Sequence, residues 1–225
     1  MNFEIDLVTI FPSFFESPLK ESILGKAQKK GLVNIRVHNL RDYTTDRHKT
    51  VDEKPFGGGP GMIMKPGPIF ECVEKIRGEK AWVILLDPKG EPFTQRLAQK
   101  LVTKRQLILV SGHYEGVDHR VHEHLADQII SVGDFVTMGG EAPALCMVEA
   151  IVRLIPGVLG NQDSLSKESF DASELEYPQY TRPRNFRQHK VPDVLVSGHH
   201  RQVEAWRLKA SREMTEKSRP DLKNK

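Results

Sequence analysis

The chain has 225 residues, 38% hydrophobic and 28% charged, which suits a globular protein with one large domain, or one domain and a small appendage. Its two cysteines, Cys72 and Cys146, both fall in apolar helical patterns; they suit a reduced protein and are too few for a cysteine-rich zinc site. No apolar run is long enough to span a bilayer, and Asn2-Phe3-Glu4-Ile5-Asp6 lacks the basic start of a signal peptide, so a cytoplasmic protein without membrane attachment is expected.

In chain order, Phe3–Phe11 is a β-branched-rich apolar run that predicts a strand. Leu19–Lys30 has helical periodicity, and Ile35–Val37 is a weaker strand. Pro68–Ile76 predicts the next helix. Trp82–Leu86, Leu107–Ser111 and Gln128–Val132 are short apolar runs bounded by turn residues, as buried parallel strands require, with a helix over Gln95–Lys104 between the first two. Ala142–Ile155 is a helix apolar on nearly every face, interrupted only by Glu149 and Arg153. Such a helix is buried in a core or against a partner, and a homodimer interface is the preferred reading. The alternation of strands and helices predicts an α/β domain with a mostly parallel sheet over residues 1–159.

After Pro156 the composition changes. Residues 160–174 are rich in Ser, Asp, Glu and Lys without apolar periodicity and read as a mobile linker. Residues 175–225 form a small second domain. Its helix places Val203, Trp206, Ala210 and Met214 on one face, away from Arg201, Lys209 and Arg212. The net charge of +3 is unevenly spread: residues 181–225 hold 12 Lys and Arg against 5 Asp and Glu, leaving 21 against 25 for residues 1–180. A basic tail on a mildly acidic body fits either a polyanion-binding appendage or a solubilising tail.

Phe56-Gly57-Gly58-Gly59-Pro60-Gly61-Met62 is the densest glycine cluster. It has neither the Lys-Ser/Thr of a Walker loop nor the spacing of a dinucleotide fingerprint, and lines a site or is an ordinary flexible loop. Asp87–Gly90, Ser111–Gly116 and Val132–Gly140 each begin where a predicted strand ends. Ligands collect at that edge of open α/β sheets, so one shared small-molecule pocket is expected, against the plainer reading of three ordinary turns. His119, His122 and His124 lie in a charged helical pattern and read as a solvated face, not a metal site. Arg153, four residues after Glu149, is either half of an intrahelical ion pair or a guanidinium that stabilises developing negative charge. Asp163, Glu168 and Asp171 are solvated charges, or carry a base on a loop over the pocket.

These strings together resemble the bacterial tRNA guanine-N1 methyltransferase family. The likeness runs through Leu7–Pro12, Pro55–Met64, Gly112–Asp118, Val132–Pro143, Arg153–Gly160, Tyr180–Pro183 and Ser197–Arg207, in order and over essentially the whole chain. It implies a knotted α/β fold of the SPOUT class, a deep trefoil in a parallel sheet with a small helical C-terminal domain. It also implies an obligate homodimer whose sites draw on both chains, tRNA as partner and S-adenosylmethionine as methyl donor. Carried over, the cofactor pocket comprises Leu86, Pro88, Gly90, Gly112, Glu115, Val132, Gly133, Val136, Thr137, Met138, Gly139 and Gly140. Arg153 matches the arginine that steadies charge on the guanine. The base matches Glu168, where the family usually has aspartate, with Asp171 as competitor. Ser173-Glu174-Leu175 replaces the familiar Gly-Leu-Leu beyond it. Mg²⁺ enters as an implied auxiliary ion for which the sequence offers no ligand set. The competing readings are a tRNA-binding dimer that has lost its base and a SPOUT methyltransferase for another RNA.

Overall fold

Five parallel strands carry the first unit, and their alternate residues fill two separate cores. The structure, a computed structural model, describes residues 3–160, 168–170 and 174–224. The chain divides into two units, residues 1–160 and 161–225.

Strand β1 (Phe3–Thr9) pairs with β2 (Val33–Asn39) on one side and with β6 (Gln106–Ser111) on the other. Strand β5 (Ala81–Pro92) lies beyond β6, and β7 (Gln128–Ser131) forms the far edge. Because successive strand residues point to opposite faces, Ile5, Leu7, Ile84, Leu86, Leu107 and Leu109 face one layer. That layer holds α1 (Ser22–Lys29), α3 (Gln95–Leu101) and α5 (Glu141–Val152). Val8, Val83, Leu85, Ile108 and Val110 face the other, with α2 (Pro66–Ile76) and α4 (His119–His124). A two-residue antiparallel pair, β3 (Asp52–Glu53) with β4 (Ile63–Met64), lies outside the sheet. No helix among the described residues is long and apolar enough to cross a membrane.

Several elements depart from their sequence expectations. The helix expected over Leu19–Lys30 is broken. Pro18–Lys20 forms a 3-10 turn, Ser22 adopts φ 49°, and the Lys20 carbonyl folds back over Gly25, where only a glycine leaves room. The weak strand at Ile35–Val37 runs the full length of β1, because Asn34, Arg36 and His38 occupy its polar positions. The helix over Gln95–Lys104 ends early, at Leu101. Asp87–Gly90 does not follow a strand end. It lies inside β5 as a bulge, with Leu86 and Glu91 both opposite Ile130 of β7. In α5, Met147, Val148, Ile151 and Val152 are buried, but Ala142, Cys146 and Glu149 are exposed on the outward face of this chain.

In the second unit, β8 (Asn185–Phe186) and β9 (His189–Lys190) form a hairpin whose turn residues Arg187 and Gln188 both have positive φ. The long helix α6 (His200–Ser218) half-buries Val203, Trp206, Ala210 and Met214 as expected. Its most buried residues are nevertheless polar. Ser211 Oγ donates to the Leu175 carbonyl at 2.6 Å, and Thr215 Oγ1 accepts the Leu175 N–H at 2.9 Å, so hydroxyls fasten the preceding segment to the helix. Arg207 lies over the Tyr177 ring at 4.9 Å.

One charge is fully buried in the middle of the sheet. Asp6 of β1 is bonded by Arg36 at 2.7 and 2.9 Å, by His38 at 2.7 Å and by Gln106 at 2.7 Å, tying β2 and β6 to the central strand. Burial pushes the carboxyl up, but the bonds from His38, Arg36 and Gln106 outweigh it and hold it at about 2, below the ordinary 3.8. A lowered carboxylate stabilises the fold above its unfolded value, and that stability, about 2 kcal/mol here, is lost as pH falls through the folded one. Urea unfolding should therefore show stability falling between pH 4 and about 2. Asp6→Asn should be less stable at neutral pH and lack that part of the acid loss; an unchanged acid profile would assign the loss to other groups.

Candidate active site

The carboxyl ends of β6 and β7 and the bulge within β5 bring the three expected segments together on a cavity of about 270 Å³. The β5 bulge gives Leu86, Asp87, Pro88 and Lys89, and the loop after β6 gives Gly112 through Val117. The segment after β7 gives Val132 and Phe135 through Gly140, with Pro143 of α5 closing one side. Leu86, Pro88, Val132 and Pro143 make an apolar wall beside backbone amides and carbonyls, the usual makeup of a small-molecule site.

The bulge is held from beneath. Asp87 Oδ1 accepts the Lys89 N–H at 2.9 Å, and Oδ2 lies 3.1 Å from Nε2 of His122. His122 thus corrects the sequence reading of a solvated histidine face: its side chain is 4% exposed and clamps the cavity wall from α4. His119 does lie out in solvent. The i, i+3 spacing of these histidines was visible in the sequence, but Asp87 is 35 residues away and nothing local announces the pair. Among the described residues, no group of three or more His, Cys, Asp or Glu is placed to hold a metal ion.

Two glycines act through close approach. A methyl on Gly140 would lie 2.7 Å from Ser111 Cα, and the Gly140 N–H donates to the Gly112 carbonyl at 2.8 Å. A methyl on Gly90 would lie 2.5 Å from the Ile129 carbonyl carbon, so Gly90 lets the bulge return onto β7. Gly90 and Gly133 are the two expected cofactor contacts that do not line the cavity; Leu86, Pro88, Gly112, Glu115, Val132, Val136, Thr137, Met138, Gly139 and Gly140 all do. Thr137 Oγ1 donates to the Gly139 carbonyl at 2.8 Å and shapes the last turn.

Sequence reasoning passed over Tyr114, a cavity residue held at φ 61°, a left-handed conformation unfavourable for an aromatic side chain. The glycine cluster borders the site without lining it. Met62 accepts the Glu115 N–H at 3.0 Å, and Gly61 lies under the Glu115 side chain. Phe135, Val136 and Met138 stand largely exposed at the rim.

The two expected catalytic residues lie outside the lining. Arg153 caps the C-terminal end of α5, whereas the cavity touches the helix at its start. Ten residues at 1.5 Å each put Arg153 about 15 Å along the helix from Pro143. Glu168 belongs to the second unit and is half-buried. Its neighbours Ser169 and Phe170 are tied within that unit, Ser169 Oγ accepting the Glu176 N–H at 3.0 Å and Phe170 donating to the Glu174 carbonyl at 2.8 Å. Asp163 and Asp171 lie outside the described residues.

Over residues 3–225 the chain matches the family described as tRNA (Guanine-1)-methyltransferase TrmD. A tRNA (guanine-N(1)-)-methyltransferase of Dictyoglomus turgidum is 54% identical over 221 residues, covering 98% of this chain and 90% of that protein. Proteins of the same name from Brevibacillus brevis and Geobacillus kaustophilus are 51% and 50% identical, over 98% and 97% of this chain and 91% and 90% of their own.

Gly140→Ala should cost about 2 kcal/mol through overpacking and abolish binding of S-adenosylhomocysteine, measured by thermal unfolding and calorimetry. Gly67→Ala, where an added methyl meets nothing within 4 Å, should change neither. Intact binding in Gly140→Ala would mean that the turn is not part of the ligand site.

Proposed function

Because the chain belongs to the tRNA (guanine-1)-methyltransferase family, we propose that it moves a methyl group from S-adenosylmethionine to N1 of the guanosine immediately 3′ of the tRNA anticodon. The observation that carries this reading is the convergence of the β5 bulge and the segments after β6 and β7 on one cavity, in a chain that matches the family from residue 3 to residue 225.

The cavity residues fit such a ligand. Leu86, Pro88, Val132 and Pro143 would receive the adenine, while backbone groups of Gly112 and of Thr137 through Gly140 would bond its polar edge. Bound S-adenosylmethionine supplies an electrophilic methyl group on its sulfonium. Guanine N1 carries a proton and is a poor nucleophile, so a base must take that proton as the methyl arrives. In this reading the Glu168 carboxylate takes it, with the longer glutamate arm replacing the family's usual aspartate. Asp171 is the alternative base. The Arg153 guanidinium donates to O6, where negative charge gathers as N1 gives up its proton; the charge is discharged as N1 takes the methyl and S-adenosylhomocysteine leaves. Mg²⁺ remains an implied auxiliary without an assigned ligand.

The same reading includes a homodimer and the knotted SPOUT topology. The dimer is supported by the outward face of α5, with Ala142, Cys146 and Glu149 exposed, and by the placement of Arg153 a helix length from its own chain's cavity. A second copy would bring an Arg153 to each site. The knot is supported by the chain crossing from edge strand β7 back to the end of β6 at Gly140. The basic residues after Thr181 would hold the tRNA phosphates, and the cytoplasm is where this substrate places the enzyme.

Labelled methyl groups should pass from S-adenosylmethionine to unmodified tRNA with guanosine 3′ of the anticodon, and not to the same tRNA with adenosine there. Arg153→Ala and Glu168→Gln should each lower kcat about 100-fold or more while keeping affinity for S-adenosylhomocysteine. Transfer to neither tRNA, or equal turnover in Glu168→Gln and wild type, would overturn the reaction or the base respectively.

A further inference from the structure

A closed ring of contacts, three of them between side chains and one through the Phe11 backbone N–H, joins the ends of β1, β6 and α5 behind the cavity. Thr9, the last residue of β1, is fully buried. Its hydroxyl donates to Glu141 Oε1 at 2.7 Å and accepts the Phe11 N–H at 2.8 Å. Glu141, the first residue of α5, is 4% exposed, and its Oε2 lies 3.4 Å from Nε2 of His113. The His113 ring meets the Phe11 ring edge-on with centroids 4.8 Å apart, which closes the circuit. Of these four residues only His113 lines the cavity.

Gly139 couples the ring to the ligand-facing backbone. A methyl on Gly139 would collide with both His113 Nε2 and Glu141 Oε2, and the Gly139 backbone is bridged to His113. The turn that lines the cavity therefore rests directly on the His113–Glu141 pair. A carboxylate this deeply buried is unfavourable unless bonded. Here the Thr9 hydroxyl, the imidazole and the N-terminal end of α5 all offset the burial.

We propose that Thr9 and Glu141 are positioning residues for the methyl donor. They hold His113 and the Gly139–Gly140 backbone in the geometry that forms one wall of the cavity, without touching the ligand. This inference rests on the reading of the cavity as the S-adenosylmethionine site. It separates binding from chemistry, because the residues assigned to the reaction, Arg153 and Glu168, lie outside both the ring and the cavity lining. Glu141→Gln keeps the shape and the acceptor for Thr9 but removes the charge that attracts the imidazole. Thr9→Val removes the hydroxyl at nearly constant volume, and Thr9→Ser restores it.

Calorimetric titration with S-adenosylhomocysteine tests the idea, alongside steady-state methylation of tRNA. Glu141→Gln and Thr9→Val should each weaken binding about tenfold, the scale of one buried hydrogen bond. KM for S-adenosylmethionine should rise in step, while kcat at saturation and KM for tRNA stay near wild type. Thr9→Ser should recover wild-type affinity. Unchanged affinity in both folded variants would overturn the inference, as would a fall in kcat with KM unmoved. Should Glu141→Gln fail to fold, the Thr9→Val and Thr9→Ser pair decides alone. A wild-type chain that does not bind S-adenosylhomocysteine would overturn the functional reading and this inference with it. Wild-type binding without methyl transfer would overturn the reaction and leave the ring to be judged on affinity.

Discussion

The return of the chain from β7 to the middle of the sheet, at a backbone that tolerates no side chain, is the contact on which the cavity depends. Gly140 sits against Ser111 and Gly112 so closely that its missing Cβ is the condition of the approach. Its N–H bonds the Gly112 carbonyl, and its own carbonyl accepts the first helical bond of α5, from Ala144. One residue thus ends the cavity-lining turn, closes the gap to β6 and starts the helix that covers one face of the sheet. Moved outward by even one methyl group, α5 would lose register with the residues of α1, α3 and β6 that bury Met147, Val148 and Ile151.

Strand β1 is anchored from both faces by polar groups of opposite duty. Asp6 points to the α2 side, where Arg36, His38 and Gln106 fix its neighbours in register. Thr9 points to the α5 side, where Glu141 ties the strand end to the start of α5. A slip of β1 by one residue would exchange its faces, strip Asp6 of its partners and leave Glu141 without the Thr9 hydroxyl. These two interactions, 132 residues apart in one case, fix the register of the sheet more sharply than apolar packing alone can.

Much of this was legible in the sequence, for identifiable reasons. β6 and the first half of β5 are almost wholly buried and so read as unbroken apolar runs, and these, with the shorter run at β7, mark where the cavity lies without any tertiary knowledge. β2 was underestimated because an edge strand with a polar face has no such run; Arg36 and His38 make sense only opposite Asp6. The bulge at Asp87–Gly90 was read as a plain strand end, since its turn composition is the same and only the return of Glu91 to Ile130 distinguishes the two. His122 was misplaced for a similar reason. A short helix of charged residues looks solvated until the distant Asp87 is brought beneath it.

The catalytic assignments reach the least far from periodicity, and the geometry explains why. Two titratable groups of the cavity wall are engaged in holding it, Asp87 by His122 and the Lys89 amide and His113 by Glu141, while Lys89, Tyr114 and Glu115 also line it. A wall braced this way favours a fixed ligand shape. Arg153 and Glu168 sit at a helix end and in a separate unit, with no local pattern to mark them apart from the family resemblance. Under the proposed function, Arg153 and Glu168 have to be brought to the cavity for methyl transfer, which makes substrate engagement, more than cofactor binding, the step that assembles the chemistry.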